Sequence, residues 1–434
     1  MKTMVLTRGD VDELRENEFE YDDDQMRAVD ACLDPKRRVV AVTGEAGTGK
    51  TTILRDVHRL WQKHGKSVVL CAPTGKAAKR ITEATGIAAC TIHRLLEYPM
   101  PGDIDEDTGK PLTSTDPRRD RRTPIDFTVA LVDEYTMVNT ELHRNLFDAL
   151  PVGGLIRVFG DANQLQPIES SKRLQKESSP FNKLLAKRDG IWLNTIHRQD
   201  EGSNIIANGH RIINGILPKR CSDFDMKITE EPVQTVEDLM MDSLHEGIDF
   251  GTITNQIISA TNKGWIGTHS LNGTLQSLLQ PADKPYTEVA RHKWYESPYL
   301  RLYVGDKVIQ TKNIYPLGIF NGETGIVTHF DDAGGIIVDF GDKQITIPLT
   351  MEMTGRHGLY HIDPQKDIDL AYVITTHKSQ GSEYDQVCYV MNRSRSWGLN
   401  RKNFYTAVSR ARHKVTVVSD RKAMELALYK KGDR

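Results

Sequence analysis

The sequence predicts an α/β protein: two parallel-sheet, P-loop-type domains in tandem, the first carrying an inserted hairpin subdomain and the second a small inserted β-barrel. Three observations predict it. Short apolar runs alternate with helical patterns, which is how βαβ units and parallel sheets read. A segment of form G-x-x-x-x-G-K-T lies between the first apolar run and its helix. Residues 301–365 change to short alternating strands with Gly turns (GDKVIQT, NGETGIVTHF, GGIIVDF, KQITIP), a barrel signature.

The elements follow in order. Residues 8–24 are acidic and read as a solvated lead-in, with a short helix beginning near Asp24. Arg38–Val42 and Ser67–Cys71 read as strands, each followed by a helix, from Lys50 and from Gly75. Val129–Val132 and Ile156–Phe159 repeat the theme. Between Glu97 and Phe127 the pattern breaks into a Pro-, Gly- and charge-rich stretch too long for an ordinary connection, which reads as an inserted hairpin. A second βα series follows from about Ile191, with apolar runs at Gln256–Ala260, Leu370–Thr375, Gln386–Val390 and Lys414–Val418. The expected boundaries are therefore 1–97 with 127–190 for the first domain, 98–126 for the hairpin, 191–300 with 366–434 for the second domain, and 301–365 for the barrel.

Composition narrows the class. The 434 residues suffice for several cores, and 38% hydrophobic with 27% charged residues is a globular balance. No apolar run approaches the ~18 residues of a membrane span, and the start holds no apolar stretch of secretory-signal length. Five widely spaced cysteines without a C-x-x-C pair exclude a disulfide framework and a cysteine zinc site, and fit a reducing cytoplasm. With 57 basic against 59 acidic residues the net charge is −2, so a nucleic-acid partner has to be argued from local chemistry.

The strongest local chemistry is Gly44-Glu45-Ala46-Gly47-Thr48-Gly49-Lys50-Thr51, with Thr52 beside it. Glycines let the backbone turn its N–H groups toward phosphates, and the following helix N-terminus adds a favourable dipole. Lys50 is placed to reach the β/γ-phosphates and the Thr51 hydroxyl to ligate Mg²⁺. Such a loop needs a carboxylate at the end of a neighbouring strand, and Val132-Asp133-Glu134 supplies it: Asp133 for the metal shell, Glu134 as general base for the attacking water. Alone, that pair is also what an ordinary acidic strand end looks like. These features point to NTP hydrolysis without giving its purpose. Thr261-Asn262-Lys263-Gly264 lacks the aspartate a guanine reader needs, which argues against a GTPase.

Further segments narrow the choice. Tyr21 to Val29, Ala72-Pro73-Thr74-Gly75-Lys76-Ala77-Ala78 and Thr91-Ile92-His93-Arg94-Leu95 lie around the phosphate loop. Gly160-Asp161-Ala162-Asn163-Gln164-Leu165-Gln166-Pro167 and Thr195-Ile196-His197-Arg198 follow the acidic pair. Thr376-His377-Lys378-Ser379-Gln380-Gly381-Ser382-Glu383 and Tyr405 to Ala411 come near the end. In this order, from about Gln25 to Val418, the set resembles superfamily 1 DNA helicases of the RecD/Dda type, the 5′-to-3′ branch found in phages and bacteria.

The resemblance implies two RecA-like domains, an SH3-like barrel at 301–365, and a strand-separating pin at 98–126. It implies ATP as the nucleotide, with Mg²⁺, and an ATP-dependent helicase moving on single-stranded DNA. It makes Gln25 the adenine reader, Gln164 the γ-phosphate sensor, Arg198 and Arg410 the arginines that reach ATP, and Gly381 with Glu383 further nucleotide contacts. It makes Pro73, Thr74, Lys76, Thr91 and His93, with Thr376, His377 and Lys378, the DNA contacts. Arg118, Arg119, Arg121 and Arg122 flank Asp120 in the hairpin, either as phosphate contacts or as a solvated run. Relatives often carry a serine two places after the glutamate of the acidic pair; here Thr136 keeps the hydroxyl. The implied partners are single-stranded and forked duplex DNA, with a replication or single-strand-binding protein as a further candidate and a monomeric state. An RNA-directed motor and an NTP-driven protein switch remain open alternatives.

Overall fold

The computed structural model describes residues 21–99, 117–171, 173–187, 190–197, 203–245, 247–281, 283–291, 297–355 and 358–432. The chain divides into two compact units, one ending at Glu201 and the other running from Gly202 to Gly432.

In the first unit the elements run α1 (Asp23–Leu33), β1 (Val39–Gly44), α2 (Lys50–Lys63), β2 (Val68–Ala72), α3 (Gly75–Thr85), β3 (Ala89–Thr91), α4 (Ile92–Leu95), β4 (Val129–Val132), α5 (Thr140–Asp148), β5 (Leu155–Gly160), α6 (Pro180–Lys187) and β6 (Ile191–Leu193). The six strands form one sheet in the order β3-β2-β4-β5-β1-β6, with every pairing parallel. β1, β2, β4 and β5 are buried along their whole length, so they read as continuous apolar runs rather than alternating ones. One core packs α1, α2 and α3 on one face of this sheet, and a second packs α5 and α6 on the other. Because all strands are parallel, their C-terminal ends share one edge, where ligand sites of open α/β sheets form.

The second unit holds α7 (Asn204–Ile213), β7 (Phe224–Ile228), α8 (Pro232–His245), β8 (Asn255–Ser259), α9 (Thr268–Leu279), then β9 (Tyr286–Ala290) to β17 (Ile368–Leu370), followed by β18 (Val373–Thr375), α10 (Thr376–Ser379), β19 (Tyr384–Met391), α11 (Arg401–Val408), β20 (Ala411–Ser419) and α12 (Arg421–Tyr429). Its parallel sheet has the order β18-β8-β19-β20-β7. An antiparallel five-stranded sheet, β14-β13-β12-β11-β17, carries the inserted element, with β11 (Lys307–Gln310), β12 (Thr324–Phe330), β13 (Ile336–Asp339) and β14 (Gln344–Ile347). Two hairpins flank it: β9 with β10 (Tyr299–Tyr303), and β15 (Met351–Gly355) with β16 (Gly358–Ile362).

The α/β class with parallel sheets is as the sequence predicts. Three local readings are corrected. β6 does not begin the second domain: it pairs with β1, Thr43 opposite Trp192, and is the edge strand of the first sheet. The apolar run 370–375 is two strands. Its start, β17, pairs antiparallel with β11, and its end, β18, pairs parallel with β8. β10, straddling the expected barrel start at 301, pairs with β9. Of the expected hairpin, residues 100–116 lie outside the described residues, and 117–126 contain no strand.

Candidate active site

The phosphate loop joins β1 to α2, and its glycines are there for stated reasons. A Cβ on Gly44 would lie 2.4 Å from Thr48 Oγ1 and 2.9 Å from Leu193 Cβ. Gly49 has φ +82° and its Cβ would press on the Gln25 carboxamide, so an L side chain there is strained. Among the first unit's longer helices, α1, α3 and α5 are capped by Asp22, Thr74 and Asn139. α2 has no side-chain cap, which leaves its first amides to the loop. Lys50 Nζ donates to the carbonyls of Gly44 and Glu45, each at 2.7 Å, leaving one of its three protons for a phosphate oxygen. Thr51 and Thr52 follow in the first turn, half-buried.

Gln25 rests against this loop through a capping box with Asp22. Asp22 Oδ1 accepts from the Gln25 amide at 2.8 Å, and Gln25 Oε1 accepts from the Asp22 amide at 3.1 Å. Gln25 Nε2 donates to the Thr48 carbonyl at 3.2 Å. One N–H and one lone pair of the carboxamide stay available, which is the complement of an adenine edge. The rim is extended by His197, unassigned in the sequence reading. Its Nε2 meets Asp22 Oδ2 at 2.7 Å and its amide donates to the Gly47 carbonyl at 2.9 Å.

Asp133 and Glu134 end β4. Asp133 is buried, and its Oδ1 accepts from the Glu134 amide at 2.8 Å. Burial first, then the Glu134 carboxylate, raises its pKa to about 6, against the lowering effect of Lys50. Glu134 sits in the left-handed region at φ 51°, a strained conformation for a non-glycine residue of a kind that gathers at functional sites. Behind β5, Asp161 Oδ2 accepts from Gln164 Nε2 at 3.3 Å. Gln164 Oε1 and Thr136 Oγ1 are buried without a hydrogen-bond partner, and such atoms call for a ligand or a water. The donor set fits the expected groups: a loop of open amides and a lysine for the polyphosphate, a hydroxyl and one buried carboxylate for a Mg²⁺ that takes its other ligands from phosphate and water.

The other expected contacts fall on strand ends. Thr74 caps α3 (Ala77 amide to Oγ1, 3.2 Å) and Thr91 caps α4 (Arg94 amide, 3.1 Å). Pro73 is buried, Lys76 half-buried, and His93 exposed with its ring 4.8 Å from Tyr98. In the second unit the threonine that caps α10 is Thr375, whose Oγ1 accepts from the Lys378 amide at 3.2 Å. Thr376 is buried, its hydroxyl donating to Asn403 Oδ1 at 2.6 Å, so its side chain is committed to the core. His377 and Lys378 are half-buried at that turn. Arg410 is also buried, held by the Thr406 and Ser382 carbonyls at 3.1 and 3.3 Å and by Ser409 Oγ at 3.1 Å. Gly381 adopts φ +73°, and Glu383 accepts from Arg412 at 3.2 Å. Arg198 lies outside the described residues. Sequence reasoning also missed Arg157, fully buried on β5, whose guanidinium binds the carbonyls of Cys32, Asp34 and Arg37 and so ties down the C-terminal end of α1.

Comparison with known proteins decides the family. Residues 20–236 match the AAA domain, and residues 271–340 match the SH3 domain of ATP-dependent RecD-like DNA helicases. The chain belongs to the AAA-domain family. Residues 370–418 match the UvrD-like helicase C-terminal domain. It is 31% identical over 391 residues to the ATP-dependent RecD2 DNA helicase of Deinococcus radiodurans, covering 90% of this chain and 48% of that protein. It is 26% identical to the RecBCD enzyme subunit RecD of Mycobacterium tuberculosis, over 95% of this chain and 72% of the subunit. The chain thus spans about half the length of the RecD2 protein. A Bacteroides Pif1 helicase solved with ADP-AlF3 and ssDNA has the same fold, with TM-score 0.58, 23% identity and 94% of each chain covered. A structure of two coordinating Pif1 helicases, described for DNA unwinding at forked dsDNA, gives TM-score 0.56, 22% identity and 92% coverage of each chain. No helix among the described residues is long and apolar enough to cross a membrane.

Proposed function

We propose that the protein is an ATP-dependent DNA helicase that moves 5′-to-3′ on single-stranded DNA and opens forked duplex. The observation that carries the reading is the shared sheet edge of the first unit. The phosphate loop, Asp133–Glu134 and Gln164 stand at the ends of β1, β4 and β5, and the threonine-capped turns of Thr74 and Thr91 stand at the ends of β2 and β3. The proposed nucleotide site and two threonine-capped helix starts then stand on one sheet edge. Thr375, at the end of β18, repeats the turn in the second unit.

In this reading the open α2 amides and Lys50 take the β- and γ-phosphates, and Gln25 takes the base. Glu134 accepts a proton from the attacking water, and Gln164 orients that water against the γ-phosphate. Mg²⁺, held by Thr51 and Asp133, would supply charge neutralisation on the phosphate oxygens. Arg198 and Arg410 are the arginines assigned to add positive charge as the transition state develops. Gly381 and Glu383 add nucleotide contacts. Duplex opening opposes stacking of about 1.4 kcal/mol per base-pair step, so directed stepping has to be driven by hydrolysis. Residues 98–126 are assigned the role of separating pin. We further infer a cytoplasmic monomer, with a replication or single-strand-binding protein as a further partner.

Unwinding of 5′-tailed against 3′-tailed DNA forks tests this reading. Opening of the 5′-tailed fork alone is expected; opening of the 3′-tailed fork alone would reverse the polarity, and opening of neither would remove the helicase assignment.

A further inference from the structure

We propose that Tyr98 and Asn145 form an anchor that fixes the insertion onto α5, so that α5 joins the catalytic loop to the pin; the proposal rests on the helicase reading above. The anchor is built from residues 47 positions apart. Asn145 Nδ2, on α5, donates to the Tyr98 hydroxyl at 2.8 Å. Tyr98 is half-buried and opens the outgoing leg of the insertion. Its amide donates to the His93 carbonyl at 3.0 Å, and its ring packs 4.8 Å from that of His93, an expected DNA contact.

The returning leg is tied to the same place. Arg119 donates Nε to Glu97 Oε1 at 2.8 Å, reaches Asp126 at 3.3 Å, and gives a further N–H to the Pro124 carbonyl at 3.0 Å. Its own amide donates to the Leu96 carbonyl at 3.2 Å, stitching the two legs together at their base. Glu97 is held at φ 52°, one of two non-glycine residues with positive φ among those described; the other is the catalytic Glu134. Strain of this kind persists only where the surroundings over-determine it. Farther along, Arg121 pairs with Asp148 at the end of α5 at 2.7 Å, and the Ile125 amide donates to the Ala149 carbonyl at 2.9 Å.

The opposite end of α5 meets the catalytic loop. Only the turn Tyr135–Met137, Val138 and the Asn139 cap separate Glu134 from α5. Tyr135 is fully buried, and its hydroxyl lies 2.8 Å from His143 Nδ1, two residues before Asn145 on the same helix. A rigid element thus carries Glu134 at one end and both legs of the insertion at the other. Movement of the acidic loop between nucleotide states has a packed route to the pin and to His93. Tyr98 and Asn145 are positioning residues: they touch neither nucleotide nor reacting atoms.

The test uses the full chain with Tyr98→Phe, which keeps the ring on His93, with Asn145→Ala, and with both. Two quantities are read: ATP turnover on single-stranded DNA, and base pairs opened per ATP on a 5′-tailed fork. Turnover is expected within about twofold of the parent, while base pairs per ATP fall about fivefold in each single variant, the factor of one neutral hydrogen bond, and no further in the double. A yield per ATP equal to the parent's in both single variants would overturn the anchor. Amide hydrogen exchange of residues 117–126 judges it independently of any unwinding. Faster exchange in Asn145→Ala supports the anchor and unchanged exchange overturns it, even if the parent itself fails to open forks and the helicase reading falls.

Discussion

At the scale of single residues, the phosphate site is decided by which atoms are already spoken for. Lys50 has two protons on loop carbonyls and one left, so its removal deletes the charge that the loop itself holds. Lys50→Ala is expected to lower kcat for ATP by about 100-fold or more while single-stranded DNA affinity stays near the parent's; steady-state turnover beside an oligonucleotide titration checks both halves. Arg410 differs, because its guanidinium is also a structural tie to Thr406 and Ser382. Arg410→Ala therefore has two expected effects. It orphans buried carbonyls, lowering stability by about 2–4 kcal/mol, and it lowers kcat by roughly 10³-fold if the arginine serves the transition state. Denaturant unfolding and kcat measured on the same preparation separate them: an unchanged kcat in folded protein would leave the arginine a structural role alone. The phosphate loop was legible in the sequence because its chemistry is contiguous; Gln25 was named only through the resemblance, and its capping box with Asp22 is what the structure adds. Thr376 was not legible. Whether Thr375 or Thr376 caps α10 depends on where β18 stops, and the Asn403 acceptor that claims Thr376 is 27 residues away.

At the scale of elements, α5 carries a histidine whose titration is set by packing. Burial pushes the His143 imidazole down from 6.5 to about 4, with the Lys183 charge acting the same way. A base whose pKa is depressed by folding takes up its proton more readily in the unfolded chain. Its contribution to stability is therefore present above pH 6.5 and is lost as pH falls from 6.5 toward 4. His143→Gln is expected to flatten the fall of Tm over that interval relative to the parent, and parallel Tm-against-pH curves for the two would contradict this. Strand assignment failed where pairing, not pattern, decides. β6 reads as an apolar run like any other, and only its register with β1, some 150 residues earlier in the chain, places it in the first sheet. The run 370–375 looks continuous because Ala371 and Tyr372 are buried where the chain passes from one sheet to the other. Arg157 was illegible for a related reason: its acceptors lie about 120 residues away, and charge alone argues for the surface.

At the scale of the whole molecule, a chain of net charge −2 has no general attraction for nucleic acid. Its engagement with a strand has to come from the capped turns and cationic groups on the sheet edges, and the same edge carries the nucleotide. On the proposed function, nucleotide turnover and strand engagement are therefore expected to be coupled. The most direct measurement is the ATP hydrolysis rate with and without a single-stranded DNA oligonucleotide. Stimulation of about tenfold or more is predicted; one and the same rate in both conditions would contradict the account.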